Sequence, residues 1–257
     1  MENQYIYLDI GDTVLHLKKS PGEIYLDLID SFGIEVGGIE SSTANKAFYE
    51  AWNFLDQKYQ RQDYKDRYSF HPDGSRGFWM DLISHFLNSL NLSESESLKE
   101  TILASFETGQ HWMLEPSFMD LVKLAHSQGI RMGVLSNWDN RLRSLLKKKG
   151  IHDYFEDFII SGEIGYEKPS KEIFQAAEQK VGLSGGSILY VGDKIALDWL
   201  PASELGWKAF LFFPEWKRKQ APFKKIWEEN LPKGCDIISK LDTILGNPLN
   251  SIDAKAP

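Results

Sequence analysis

Cysteine is almost missing from this chain: Cys235 is alone among 257 residues. No intrachain disulfide can form, and clusters of thiolate metal ligands are excluded; a reducing compartment is the matching environment. Long apolar runs are missing too. No stretch approaches the roughly 18 uninterrupted apolar residues of a transmembrane helix. The opening Met1-Glu2-Asn3-Gln4 lacks the basic and apolar regions of a signal peptide. A basic excess is also absent: 29 Lys and Arg stand against 37 Asp and Glu, a formal net charge of −8. That balance argues against a non-specific nucleic-acid surface or an anionic-membrane surface. It leaves room for an anionic small molecule, because a local site or a bound cation can reverse the local field. A soluble cytoplasmic protein with neither nucleic acid nor membrane as partner is expected, and a monomer is the default state. No internal repeat or low-complexity segment is visible.

What is present is ordinary globular material, 42% hydrophobic and 13% aromatic, enough for one large domain or two smaller ones. Five short apolar, β-rich runs stand out: Tyr5 to Asp9, Arg131 to Ser136, Asp157 to Ser161, Ser187 to Gly192 and Trp207 to Phe213. Helical patterns cover Phe118 to Ser127, Arg141 to Lys149, Ser170 to Val181 and Leu197 to Leu205. Strands alternating with helices of this length predict an α/β fold with a doubly wound, mostly parallel sheet. Between Thr13 and about Met113 no strand is expected. Helical patterns run instead over Gly22 to Phe32, Ser42 to Tyr59, Gly77 to Leu90 and Glu94 to Thr108. This block reads as a helical insertion after the first strand. Its aromatics, among them Phe48, Trp52, Phe78 and Trp79, read first as helix-packing core. The polar stretch from Tyr64 to Arg76 reads as a loop able to reach over a site. The tail from Gly246 onward is expected to be poorly ordered.

The chemistry gathers at strand ends, where ligands sit on open α/β sheets. The first run ends in Asp9-Ile10-Gly11-Asp12-Thr13, which places Asp9 as a nucleophile or a metal ligand. The second ends in Ser136-Asn137-Trp138-Asp139. A hydroxyl and an amide there suit a phosphate-like oxyanion, whereas Asp139 suits the start of the helix near Asn140. After the third run comes Glu167-Lys168-Pro169. A Lys before Pro is held extended, and its ammonium could neutralise a nucleophilic carboxylate and a transferring group together. The fourth run ends in Gly192-Asp193-Lys194, with Asp198 five residues after Asp193. Two carboxylates so spaced suit Mg2+, with Asp193 as a direct ligand and Asp198 as an outer partner or a loop-fixing group.

In order and spacing these four segments resemble the haloacid dehalogenase-like (HAD) hydrolase superfamily, in the subclass with a helical cap after the first strand. Ser20-Pro21-Gly22-Glu23-Ile24-Tyr25 and Ser136-Asn137-Trp138-Asp139-Asn140-Arg141-Leu142 look most like the branch named after a rhythmically expressed insect protein. The resemblance implies a Rossmann-like core formed by residues 1–16 and 112–257, with a cap over 17–111. It also implies that Asp9 forms a covalent aspartyl intermediate. Ser136, Asn137 and Lys168 would bind the phosphoryl group. Asp9, Asp193, Asp198 and the carbonyl of Gly11 would make the Mg2+ site. The substrate would be a small phosphorylated compound.

One position departs from the pattern. Phosphatase members read Asp-x-Asp-Gly-Thr, and here Gly11 and Asp12 are interchanged. The missing carboxylate at position 11 is the group that protonates the leaving alkoxide, and losing such a group costs about 10²–10⁴-fold. Asp12 is expected to point away from Asp9, since successive extended residues face opposite ways. A positive φ is one reason a glycine could be needed at position 11. A weak phosphatase, a dehalogenase-like hydrolase and a catalytically impaired phospho-ligand binder all remain open. Lys18 and Lys19 could be taken for an imine-forming lysine of phosphonatase type, but nothing marks either as buried.

Overall fold

The computed structural model describes residues 4–59, 62–218 and 231–246. The strands are β1 (Tyr5–Leu8), β2 (Leu15–Leu17), β3 (Trp112–Leu114), β4 (Arg131–Ser136), β5 (Asp157–Ile160), β6 (Ile188–Gly192), β7 (Lys208–Phe212) and β8 (Asp236–Ile238). Six of them form one parallel sheet in the order β5-β4-β1-β6-β7-β8. The chain leaves β1 for β4 and β5 on one side and then crosses to β6, β7 and β8 on the other. Strand order therefore reverses at β1, the position where open α/β sheets bind ligands.

The side chains of β1 explain why it is central. Tyr5, Ile6, Tyr7 and Leu8 are all fully buried. Ile6 and Leu8 pack on one face with Phe118, Val134 and Leu142. Tyr5 and Tyr7 pack on the other with Ile173, Phe174 and Trp207. A period-2 strand that is apolar on both faces needs helices on both. These are α5 (Phe118–Gln128) and α6 (Leu142–Lys148) on one side and α8 (Lys171–Val181) on the other. The doubly wound, mostly parallel α/β architecture expected from the sequence is the one found.

Between β2 and β3 lie α1 (Pro21–Ser31), α2 (Ser41–Lys58), α3 (Gly74–Ser89) and α4 (Glu96–Glu107). They bury a core of their own around Tyr25, Phe48, Phe78, Leu82, Phe86 and Ile102. The first of these helices opens with a capping box, in which the Ser20 N–H donates to Glu23 Oε2 at 3.0 Å, and with Pro21 in its first turn. Gly22 allows α1 to meet α2: a Cβ there would lie 2.4 Å from the main-chain carbon of Ala44. Among the described residues, no helix is long and apolar enough to cross a membrane.

Several elements differ from expectation. β2 and β3 form an antiparallel pair, Leu15 opposite Leu114 and Leu17 opposite Trp112, at the chain's entry to and exit from the helical block. Three residues per strand are too few for alternation to be read from sequence. β8 was likewise not expected. α3 begins at Gly74 rather than Gly77; a short 3₁₀ turn, Arg67–Phe70, interrupts the expected loop, and another, Gln62–Tyr64, ends at its first residue. Leu197 to Leu205 is not one helix but the end of a π-helical turn, Ile195–Trp199, followed by α9 (Leu200–Glu204). Two further short helices are α7 (Ser161–Ile164) and α10 (Glu215–Arg218). Residues 247–257 of the tail lie outside the described residues.

Candidate functional site

Register brings the strand ends together. Leu8 pairs with Val134 of β4 and Val191 of β6, so Asp9, Ser136 and Asp193 emerge side by side. Ser136 Oγ donates to Asp9 Oδ1 at 2.7 Å, and Lys168 Nζ stands 3.0 Å from the same oxygen. Carboxylate oxygens of Asp9, Asp193 and Asp198 all come within 4.8 Å of one another. Asp9, Ser136, Lys168 and Asp193 thus line one cleft at the carboxyl end of the sheet.

Lys168 is held from several sides. Its Nζ donates to Asp198 Oδ1 at 2.6 Å and to the Tyr190 hydroxyl at 3.0 Å. That hydroxyl lies 2.8 Å from the same Asp198 oxygen. Asn137 fixes the Lys168 backbone: Nδ2 donates to the Lys168 carbonyl at 3.0 Å, and the Lys168 N–H donates to Oδ1 at 2.6 Å. The side chain of Asn137 is thus committed to placing the lysine. The Lys168–Pro169 peptide is cis. Asp198 spends its other oxygen, Oδ2, on the Lys194 N–H at 2.8 Å. With both oxygens engaged, Asp198 fixes the loop and the lysine rather than offering a free ligand atom. Gly192 makes this possible, since a Cβ there would fall 2.3 Å from Asp198 Cγ.

The electrostatics are those of a crowded anionic pocket. Burial pushes Asp9 above the usual carboxylate range, against the pull of Lys168, and the Asp198 charge adds to the rise. Burial likewise pushes Asp193 up to about 7, opposed by Lys194 and reinforced by Asp198 and Asp9. Burial would lower Lys168, yet Asp198 and Asp9 outweigh it and hold the ammonium above its ordinary value. The ammonium of Lys194 contacts Asp193 from the solvent side. Oxygen donors carrying more negative charge than the two lysines cancel are the chemistry of a hard divalent cation site.

Gly11 and Asp12 behave otherwise than a positive φ at Gly11 would require. The left-handed residue is Asp12, at φ 59°, and Gly11 is not among the residues of positive φ. Asp12 turns toward Lys217, 2.8 Å from its Nζ, and toward His16, whose Nδ1 is 3.8 Å away. Burial alone would raise it; His16 and Lys217 instead hold it well below the usual carboxylate range. A carboxyl so anchored is a poor proton donor. His16 in turn pairs with Glu115 at 3.0 Å through Nε2.

The helical block reaches the site at three places. Arg67 Nε stands 3.1 Å from Glu167 Oε2, one residue before Lys168. The Asp66 N–H donates to the Gly165 carbonyl and the Glu167 N–H to the Tyr64 carbonyl, both at 2.9 Å. Trp79 Nε1 donates to Asp139 Oδ2 at 2.8 Å, while Asp139 also receives the Arg141 N–H at 2.9 Å just before α6 begins. Trp52 of α2 lines the cleft that contains Asp9, Ser136, Lys168 and Asp193. Behind Trp52, Asn137 and Trp138 a second cavity of about 220 Å³ opens between block and core, walled mostly by aromatic and aliphatic side chains. The aromatics read as core from sequence therefore divide: Phe78 and Phe86 are fully buried, whereas Trp52 and Trp79 face the cavity. Tyr190, Lys194 and Trp52 were missed. A tyrosine two residues before a strand-end glycine was the one available hint for Tyr190.

A family model for haloacid dehalogenase-like hydrolases matches residues 5–206. Haloacid dehalogenase-like hydrolase domain-containing protein 3 of Xenopus laevis is 27% identical over 259 residues, covering 97% of this chain and 100% of its own length. The Rhythmically expressed gene 2 protein of Drosophila melanogaster is 27% identical over 219 residues, covering 80% of this chain and 81% of its own. Among solved structures, the HAD-hydrolase YfnB of Bacillus subtilis bound to magnesium superposes with a TM-score of 0.67 at 17% identity, covering 95% of this chain and 97% of that one.

Proposed function

The chain belongs to the haloacid dehalogenase-like hydrolases, and from that premise we propose that it is a Mg2+-dependent phosphatase acting on a small phosphorylated compound. The observation that carries this reading is the Asp9 carboxylate, pinned through Oδ1 by Ser136 and Lys168 while it faces Asp193. Residues 17–111 are read as a cap over this site. Asp9 would attack phosphorus, forming an aspartyl-phosphate as the bond to the leaving oxygen breaks and its electron pair departs with that oxygen. Ser136 Oγ and Lys168 Nζ, both now on Asp9, sit where the phosphoryl oxygens would arrive. Lys168 stays charged, because two carboxylates hold its proton, so it neutralises rather than donates. Water then attacks phosphorus and frees Asp9.

Asp9, Asp193 and the Gly11 carbonyl would hold Mg2+, and the donor set fits: hard oxygens, buried, with surplus negative charge. When bound, the ion offsets the repulsion between nucleophile and phosphoryl anion. YfnB, a neighbour in fold, carries magnesium. No carboxylate stands at position 11, so the leaving group departs without a proton from that side. Acyl and aryl phosphates should be the good substrates and alkyl phosphates the poor ones. An assay of aryl, acyl and alkyl phosphates and 2-haloacids, with and without Mg2+, tests this. Metal-dependent phosphate release supports the proposal; metal-independent halide release would replace it with a dehalogenase.

A further inference from the structure

The cavity behind Trp52 and Trp138 is not needed to hold a phosphoryl group. It has a volume of about 220 Å³, and Trp52, Asn137 and Trp138 line both it and the catalytic cleft. The cavity thus adjoins the cleft that holds Asp9, with these three side chains at the boundary. The walls are rings and alkyl chains, among them Tyr25, Phe48, Ile83 and Leu103 from the helical block. Polar groups at the core end are already engaged with one another. Arg141 Nη2 lies 2.6 Å from Asp139, its guanidinium lies 5.3 Å from the Trp79 ring, and the Trp79 N–H is given to Asp139. Asn137 spends its amide on Lys168. Beyond these and the indoles, the lining side chains offer only the Glu107 carboxylate, 3.8 Å from Arg141 Nη1, and the hydroxyls of Tyr25 and Tyr68. These are too few partners to replace the hydration shell of a sugar, whose hydroxyls would each need one. Such an interior does suit a flat apolar group. An apolar cavity of about 150 Å³ holds benzene, so this one has room for a single or a fused pair of rings.

We infer that this cavity holds a planar apolar group, an aromatic ring system carried by the phosphorylated substrate. The inference rests on the phosphatase reading for the phosphoryl part alone. It agrees with Gly11 by an independent route, because an aryl oxide can leave without the proton that position 11 does not supply.

The test uses the full chain with two substrates, 1-naphthyl phosphate and acetyl phosphate, and one ligand without phosphate, 1-naphthol. The inference predicts saturable quenching of tryptophan fluorescence by 1-naphthol and competition with 1-naphthyl phosphate. Ile83→Phe, which fills the cavity from α3, should lower the ratio of kcat/KM for naphthyl over acetyl phosphate at least about tenfold, mainly through KM. Leu103→Phe fills it from α4 and serves if the first variant does not fold. Should 1-naphthol bind while no ester is hydrolysed, the phosphatase reading falls and the cavity assignment stands. Should both esters be hydrolysed while 1-naphthol fails to bind and the ratio is unmoved, the cavity assignment is overturned and the phosphatase reading survives.

Discussion

A Cβ built on Gly11 would lie 3.4 Å from Cζ3 of Trp138, an ordinary contact and the nearest one it would make. Position 11 therefore has room for a Cβ, and its backbone does not lie in the left-handed region reserved for glycine. Gly11→Asp should fold, with a thermal midpoint near that of the parent chain. It should raise turnover of alkyl phosphates by up to about 10²-fold while changing aryl and acyl phosphates little. Comparing kcat across leaving groups of graded basicity checks this. Equal gains on all substrates would mean that the new carboxylate acts on binding and not on the leaving oxygen.

Lys168 is predicted to be structural as well as functional. It is the cation between Asp9 and Asp198, and all three are buried. Removing one partner of a buried pair leaves an uncompensated charge, which costs about 3–5 kcal/mol. Lys168→Ala should lose that much in urea unfolding under chelator, and Mg2+ should restore part of it. A loss below about 1 kcal/mol, the range of solvated pairs, would show that the carboxylates are not held as charged neighbours.

Mg2+ binding should depend on pH in a definite sense. In the unfolded chain Asp193 loses its proton near 3.8; burial keeps that proton in the folded protein until about 7. The folded state thus binds the extra proton between these values, so this group's contribution to stability is greatest below pH about 4 and falls as pH rises to about 7. Mg2+ bound at Asp193 would displace the proton. The rise in thermal midpoint with saturating Mg2+ should accordingly be larger at pH 8 than at pH 6, as follows for a ligand of the native state. Asp193→Asn should abolish the rise at both. A pH-independent rise would remove Asp193 from the metal site.

Much of this site was legible in the sequence because strand ends are marked there. Apolar runs stop at Asp9, Ser136 and Gly192, and polar residues begin at once, so the residues at the carboxyl edge of the sheet could be named before their neighbours were known. Lys168 was legible only through order and spacing. What could not be read arises from contacts between distant segments. Tyr190 is two residues from the strand end, and only packing turns its hydroxyl toward Lys168 and Asp198. Trp52 lies on a helix whose periodicity marks core, and nothing local says that its ring faces the cleft. The left-handed turn fell on Asp12 rather than Gly11, and the partner of the Asp12 carboxylate, Lys217, lies 205 residues away in sequence.

The claim on which the rest depends is that Asp9 is the nucleophile. Mixing the protein with 1-naphthyl phosphate and Mg2+, quenching in acid within a single turnover, and weighing the peptide that carries Asp9 measures it directly. The account predicts a phosphoryl increment on that peptide, dependent on Mg2+, and neither increment nor phosphate release for Asp9→Asn. Phosphate release without an increment on Asp9, or undiminished release by Asp9→Asn, would contradict it.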